Sequence, residues 1–275
     1  MGLPVPSLEG ERLAGSSDGP GNAKAAQIVA TERAVLGASP TATHVRYPLV
    51  YGPHQLLPRE WMIVRRALDG RRRLIVPDGG LQLRSAVHAR NAAHALLLVV
   101  DDPEMSAGRV YHASDEHTPS LRQVVEIVAA AIGHRFELVG MPDELATPAR
   151  PLMMLTGSHH RYTPATALVR DLGYRDVISA AQGLADTAQW LLANQPERGG
   201  PIERALQDPF DYAAEDDLLD AWDRALDGLR VVAGAADPGY ADRYSPRYEL
   251  MRAARRIRRE RFAAQPSINH PPTRR

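Results

Sequence analysis

The sequence predicts an α/β protein with some parallel strand pairing, on three observations. Segments with helical apolar spacing alternate along the chain with short strand-like runs. Two capping-box patterns, Ser120 with Gln123 and Ser179 with Gln182, each open an amphipathic stretch. The run "THVRYPLVYG" is dense in β-branched and aromatic residues, as a buried strand is.

The elements follow in order. Ala25, Ile28, Val29, Val35 and Leu36 place a helix over about 23–36, and Gly37 ends it. A strand over "THVRYPLVYG" comes next and ends or bends at Pro48, which has no ladder donor. "PREWMIVRRALDG" sets Trp61, Val64 and Leu68 on one helix face and stops at Gly70. "RRLIVPDGG" reads as a strand running into a turn. Asn91 is placed to cap a helix, "AAHALLLVV", whose apolar character nearly all round implies burial on more than one side. "GRVYHAS" is a further strand, and Leu121, Val124, Val125, Val128 and Ile132 then form the stripe of the helix that Ser120 opens. After the helix that ends in "TAQWLLAN", the character changes at Pro196. Asp208, Asp211, Glu215, Asp216 and Asp217 read as negative charge around a helix N-terminus, with Leu218, Trp222, Leu226 and Leu229 in register behind it.

Composition narrows the function classes. The 275 residues suffice for one large or two small domains, with 44% apolar and 24% charged residues. Basic and acidic residues balance at 33 each, so no net field attracts nucleic acid or an anionic membrane. The absence of cysteine excludes disulfides, thiolate metal sites and a thiol nucleophile. Neither a secretory leader nor an eighteen-residue apolar run is present, so a cytoplasmic protein is expected. The ten histidines, among them His88, His94, His159 and His160, match no zinc spacing, and no metal is expected. The arginine run from Arg252 to Arg261 lacks interleaved aromatics and reads as a solvated face in a disordered tail.

Several strings in a fixed order carry a resemblance: "TERAVL" followed by "VRYPLVYGP", "PDGGLQLRSAVHARNAAHALLLVV", "GRVYHASDEHTPSLRQVVEIVAAAIG", and "LVRDLGYRD" leading to "AQGLADTAQWLL". Over roughly 23–194 the chain resembles the C-terminal half of the NAD-dependent epimerase/dehydratase family, the extended short-chain dehydrogenases/reductases. The resemblance implies the last strands and helices of a partial Rossmann-like parallel sheet, interleaved with a small α/β substrate lobe. It divides the chain into a flexible leader (1–22), the family-like domain (23–195), and a helical extension with a tail (196–275). It also implies chemistry on a sugar or other secondary alcohol with NAD or NADP as cofactor.

The first 22 residues have turn and linker chemistry, and the strand expected before the first helix is not among them. Gly15, Gly19 and Gly21 follow no strand, so they are read as linker and not as a phosphate loop. The family's Tyr-x-x-x-Lys pair is also not found. Lys24, the only lysine, has Pro20 four residues before it, and a register on Glu32 puts Ile28 and Lys24 at the two positions. No catalytic residue is therefore assigned. By resemblance Pro48, Leu49 and Val50 lie at the nicotinamide end, while Tyr51, Trp61 and Arg84 face the substrate. Arg84 corresponds to an arginine that reaches a substrate phosphate, and Arg71, Arg72 and Arg73 stand near it in sequence. Arg46 and Tyr51 can equally cap the strand end; the string from Pro58 to Trp61 would sit over the substrate cleft, with core the preferred reading of Trp61 itself. The expectation is an enzyme portion inactive and unable to bind NAD(P) alone, or else a non-catalytic ligand- or partner-binding module. Its partners would be a small-molecule substrate, and a missing N-terminal half or a second copy at an open sheet edge.

Overall fold

"THVRYPLVYG" forms two strands, β1 (His44–Arg46) and β2 (Leu49–Tyr51), separated at Tyr47 and Pro48. Proline fixes φ and offers no N–H, so the chain leaves one sheet there and enters another. The computed structural model describes residues 5–11, 13, 23–147 and 160–235. The chain divides into one unit ending at Leu219 and a second beginning at Asp220.

Among the described residues of the first unit, six strands form three parallel pairs. β1 lies beside β5 (Val110–His112), β2 beside β4 (Ala86–His88), and β3 (Arg73–Pro77) beside β6 (Glu137–Met141). Parallel neighbours need crossovers, and helices supply them. α1 (Ala23–Ala38) precedes β1, and α2 (Trp61–Leu68) precedes β3. α3 (Ala89–Asp101) and the single turn α4 (Pro103–Ser106) join β4 to β5, and α5 (Leu121–Ala131) joins β5 to β6. α6 (Thr166–Leu172), α7 (Ala180–Ala193), α8 (Pro201–Leu206) and α9 (Tyr212–Ala235) follow. This is the α/β alternation with short parallel pairs that the sequence predicts.

Among the helices, α5 packs on α7, and α2 packs on both. Trp61, Met62, Ile63 and Val64 of α2, Leu74, Ile75 and Val76 of β3, and Val125, Val128, Leu184 and Leu191 are all buried. A hydrophobic cluster joins Ala95 and Val99 of α3 to Tyr111 and Ala113 at β5 and to Ala165, Leu168 and Tyr174 around α6. Leu68 departs from the expected face: it lies in the last turn of α2 and is 38% exposed. The helix "AAHALLLVV" is buried on one face only, through Ala92, Ala95 and Val99, while Leu96, Leu97 and Val100 are 48%, 58% and 64% exposed. Its packed face is made of small residues that let the helix lie close, so apolarity all round does not translate into burial all round.

The capping box of Ser120 and Gln123 forms reciprocally. That of Ser179 is half made, because the Gln182 side chain donates to Asp186 (2.6 Å) instead of returning to the cap. Part of the leader is hydrogen-bonded to the body. Ser7 N–H donates to Tyr162 O (2.8 Å), and Glu9 Oε1 accepts from His112 N–H (3.3 Å) and Ala167 N–H (3.2 Å). Gly15, Gly19, Gly21 and the tail with Arg252 to Arg261 lie outside the described residues.

The acidic cluster has a more specific use than dipole complementation. Arg66, 1% exposed, donates to Asp208 (2.6 and 3.1 Å) and to Glu215 (2.5 and 3.1 Å), with the Phe210 ring 5.1 Å away. Asp216 pairs with Arg71 (2.5 Å), and Asp211 Oδ1 accepts from Ala214 N–H (3.1 Å) at the helix start. Within the second unit the described residues continue α9, where Arg230 pairs with Asp227 (3.0 Å) and Leu229 is 58% exposed. No helix among the described residues is long and apolar enough to cross a membrane.

Truncating Arg66 leaves buried Asp208 without its cation and buried Glu215 with only the longer pair to Arg71 (3.6 Å). Arg66→Ala is expected to lower the unfolding free energy by about 3–5 kcal/mol. Arg175→Ala, at the exposed pair with Glu116, is expected to cost about 1 kcal/mol or less. Urea melts of the two variants check both.

Candidate functional site

A tight turn after β3 aims the residues that follow. Asp78, Gly79 and Gly80 all take positive φ (48°, 69° and 70°), and a Cβ on Gly80 would stand 2.9 Å from the Arg122 backbone nitrogen. Arg122 Nε donates to Gly79 O (3.1 Å) and holds the turn. Beyond it the backbone is bonded on both sides. Leu121 N–H donates to Gln82 O (3.2 Å), Arg161 N–H to Leu83 O (2.9 Å), and Ser85 N–H to Arg161 O (2.8 Å). His160 Nδ1 accepts from Leu83 N–H (2.9 Å). Gln82 and Arg84 are thereby set into the wall of a cavity of ≈ 80 Å³, with Tyr51, Glu60, Asp115 and His117 as its other polar lining and Leu49, Leu121, Val124 and Leu184 among its apolar lining.

Arg84 Nη1 is buried and has no hydrogen-bond partner among the described residues. Burial, reinforced by the positive charges of Arg59 and Arg161, pushes its pKa down to about 10. Gln82 carries a buried Nε2 and a buried Oε1, both unpartnered among the described residues. Glu60, 5% exposed, accepts from Gln55 Nε2 (2.6 Å), and burial raises its carboxyl above the usual range. The cavity thus has a cationic end, an acid that resists ionisation, and an amide open to a ligand.

The opposite wall is built on Asp115. Its Oδ2 accepts from the Tyr51 hydroxyl (2.8 Å), and its Oδ1 accepts from His88 N–H (2.9 Å) and Asn91 Nδ2 (2.7 Å). Burial raises both pKa values, and the negative charge of Asp115 adds to the shift of Tyr51. Asn91 is not the helix cap. That position is His88, whose Nδ1 accepts from Arg90 N–H (3.3 Å). Asn91 is fully buried and instead links Asp115 to the chain at 177–178, accepting from Val177 N–H (2.9 Å) and Ile178 N–H (3.1 Å). A Cβ on Gly183 would lie 2.9 Å from the His88 ring, so glycine there lets α7 approach this wall.

Of the residues singled out from sequence, Leu49, Tyr51 and Arg84 meet at the cavity. Pro48 sits between β1 and β2, and Val50 is 41% exposed; neither lines it. Trp61 is core: it is 0% exposed and its indole N–H donates to Glu203 (2.9 Å). Arg46 makes a two-pronged pair with Glu32 of α1 (2.6 and 2.8 Å), which holds that carboxyl below its usual range. Lys24 is exposed at the start of α1. Arg71 and Arg73 pair with Asp216 and Glu137. Glu60, Gln82 and Asp115 were missed by the sequence reading. The available signals were an acid just past the "VYHA" strand and a glutamine two residues before Arg84. Among the described residues no group of three His, Asp or Glu side chains is arranged to hold a metal ion; His94 packs on Tyr174 (5.9 Å), and His159 lies outside the described residues.

Residues 21–113 match the model of the NAD dependent epimerase/dehydratase family. No curated protein matches the chain. Among solved structures it is similar to a dTDP-glucose 4,6-dehydratase from Bacillus anthracis in complex with NAD, at 20% identity and a TM-score of 0.51 over 71% of this chain and 58% of that one. It is likewise similar to a UDP-glucose 4-epimerase from Bifidobacterium longum in complex with NAD+ and UDP, at 18% identity and a TM-score of 0.51 over 70% of this chain and 59% of that one. The chain therefore spans less than two thirds of either protein. The family match over residues 21–113 agrees with the family read from the sequence, and the solved structures share its fold.

Next to this wall, Asp176 accepts from the Tyr174 hydroxyl (2.9 Å) and from Glu116 N–H (3.0 Å). Burial, with Asp115 and Glu116 nearby, pushes its carboxyl up to about 6. Between about pH 4 and 6 the folded chain thus keeps a proton that the unfolded chain has released, and this group's contribution to stability falls as pH rises through that window. Asp176→Asn is expected to gain stability relative to the parent across that window, with a constant difference above it. Thermal melts at stepped pH check this, and a difference independent of pH refutes it.

Proposed function

We propose that this chain carries the substrate-binding lobe of an NAD(P)-dependent epimerase, dehydratase or reductase. Its substrate in this reading is a phosphate-bearing sugar or other secondary alcohol, and the cavity at Arg84 receives the phosphate. The observation that carries the reading is the buried Arg84 Nη1, which has no partner among the described residues and is pressed by two further arginines. A cation held out of water needs a counter-charge, and a phosphate supplies one in the planar, two-pronged geometry a guanidinium favours. The similar proteins named above are a dTDP-sugar dehydratase and a UDP-sugar epimerase, which fits an anionic sugar ligand.

In such enzymes the nicotinamide accepts a hydride from the alcohol carbon. The described residues do not fit that cofactor. α1 presents neither a phenol nor an amine toward β1, because its buried side chain is Glu32, already paired with Arg46, and its one amine, Lys24, is exposed. In this reading the dinucleotide is held by residues other than those described, with a dinucleotide-binding half adding at the free edge of β1, and this chain alone is inactive. The same misfit favours a second reading, a non-catalytic module that keeps only ligand recognition.

Calorimetric titration separates these statements. UDP is expected to bind the chain, and Arg84→Met to weaken it about tenfold or more, the worth of a hydrogen bond to a charged group. An unchanged affinity in Arg84→Met overturns the phosphate assignment. NAD and NADP are expected to give no binding heat with this chain alone, and micromolar affinity for either overturns the incomplete-enzyme reading.

A further inference from the structure

Two residues from Arg84, Gln82 places a complete amide in the cavity wall with both its donor and its acceptor unfilled among the described residues. A buried polar group without a partner is costly, and here two such atoms belong to a residue that lines the same cavity as Arg84 with its unpartnered Nη1. The backbone that carries this side chain is fixed. The backbone is bonded at Gln82 O and at Leu83 O and N–H, and the left-handed turn through Gly79 and Gly80 fixes where the segment begins. A ligand that meets the amide therefore has no backbone left to order there.

The chemistry of the missing partner follows from the atoms that lack one. Arg84 offers only donors, which suits a phosphate oxygen. Gln82 offers a donor and an acceptor, which a hydroxyl satisfies and a second anionic oxygen does not. Size adds a limit. At about 10–15 Å³ per water-sized group, the enclosed ≈ 80 Å³ holds a phosphate and a few further groups, and the rest of a larger ligand such as UDP would extend out of the cavity mouth. Leu49 and Leu184 supply apolar wall for the C–H surface of a short hydroxylated carbon chain or ring edge.

We propose that Gln82 is a specificity residue of this cavity, reading a hydroxyl carried next to the phosphate, so that the site selects hydroxylated phosphate esters over plain ones. The inference rests on the phosphate assignment of Arg84 and adds to it a second point of recognition.

Two probes share a phosphate monoester and differ in hydroxyls: glucose 1-phosphate and ethyl phosphate. By calorimetry the unaltered chain is expected to bind glucose 1-phosphate about tenfold or more tightly than ethyl phosphate, a comparison that needs no variant. Gln82→Leu, shown folded by its melting curve, is expected to bring the two affinities together by weakening glucose 1-phosphate alone. Arg84→Met is expected to weaken both. Equal affinities in the unaltered chain, or a preference that survives Gln82→Leu, overturn the role of Gln82 and leave the phosphate site standing. Failure of both probes to bind the unaltered chain overturns the phosphate site and the inference together.

Discussion

A carboxylate that is 4% exposed needs donors, and Asp115 takes them from the Tyr51 hydroxyl in β2, the backbone at His88 ending β4, and Asn91 in the first turn of α3. Asn91 passes the connection on to residues 177–178, which lead directly to the Ser179 cap of α7. One side chain thus gathers the ends of two strands, the start of a helix and the approach to another. Removing any donor would leave a buried acid short of a bond, while removing the acid would take an acceptor from three donors at once. The position of the cavity depends on this arrangement, because Tyr51 and Asp115 form one wall and α7 supplies part of another. The opposite wall is held independently by backbone hydrogen bonds around Gln82 and Leu83.

The sheets themselves contribute less rigidity than the helices around them. Each described pair has only two strands, and short parallel pairs are weak without cover on their faces. α5 packs on α7 and α2 packs on both, and the Arg66 cluster ties α2 to the segment that starts α9. Among the described residues β1 is paired on one edge only, and α3 turns Leu96, Leu97 and Val100 outward. A free parallel edge is where a further strand of a doubly wound sheet adds.

Most of this architecture was legible from periodicity and punctuation. The break at Pro48, the turn after "RRLIVP" and the helix at Ser120 follow from local chemistry alone. What failed were inferences about which neighbour a residue meets. Asn91 has the chemistry of a cap and sits near a helix start, yet a buried carboxylate and two backbone N–H groups compete for its amide and win. The acidic cluster reads as dipole complementation because its cation, Arg66, lies about 140 residues away in sequence. Trp61 at the head of an amphipathic helix cannot be told from a cleft wall without knowing that Glu203 receives its indole N–H. Of the cavity, Leu49, Tyr51 and Arg84 were named in advance. Gln82, Glu60 and Asp115 were not, because their meaning depends on burial that no spacing encodes.

Arg46 and Arg84 show how burial and pairing assign different roles to one residue type. Both lie in family-like strings and both are partly enclosed, but α1 delivers the carboxylate of Glu32 to Arg46 while no described residue delivers one to Arg84. An anionic ligand approaching Arg46 would have to displace a two-pronged, buried partner and leave Glu32 without compensation. At Arg84 the same ligand displaces nothing and relieves the field of Arg59 and Arg161. The pair at Arg46 serves to hold α1 against β1, and the proposed phosphate site is at Arg84. A single carboxylate, present at one arginine and lacking at the other, separates structure from ligand chemistry in this fold.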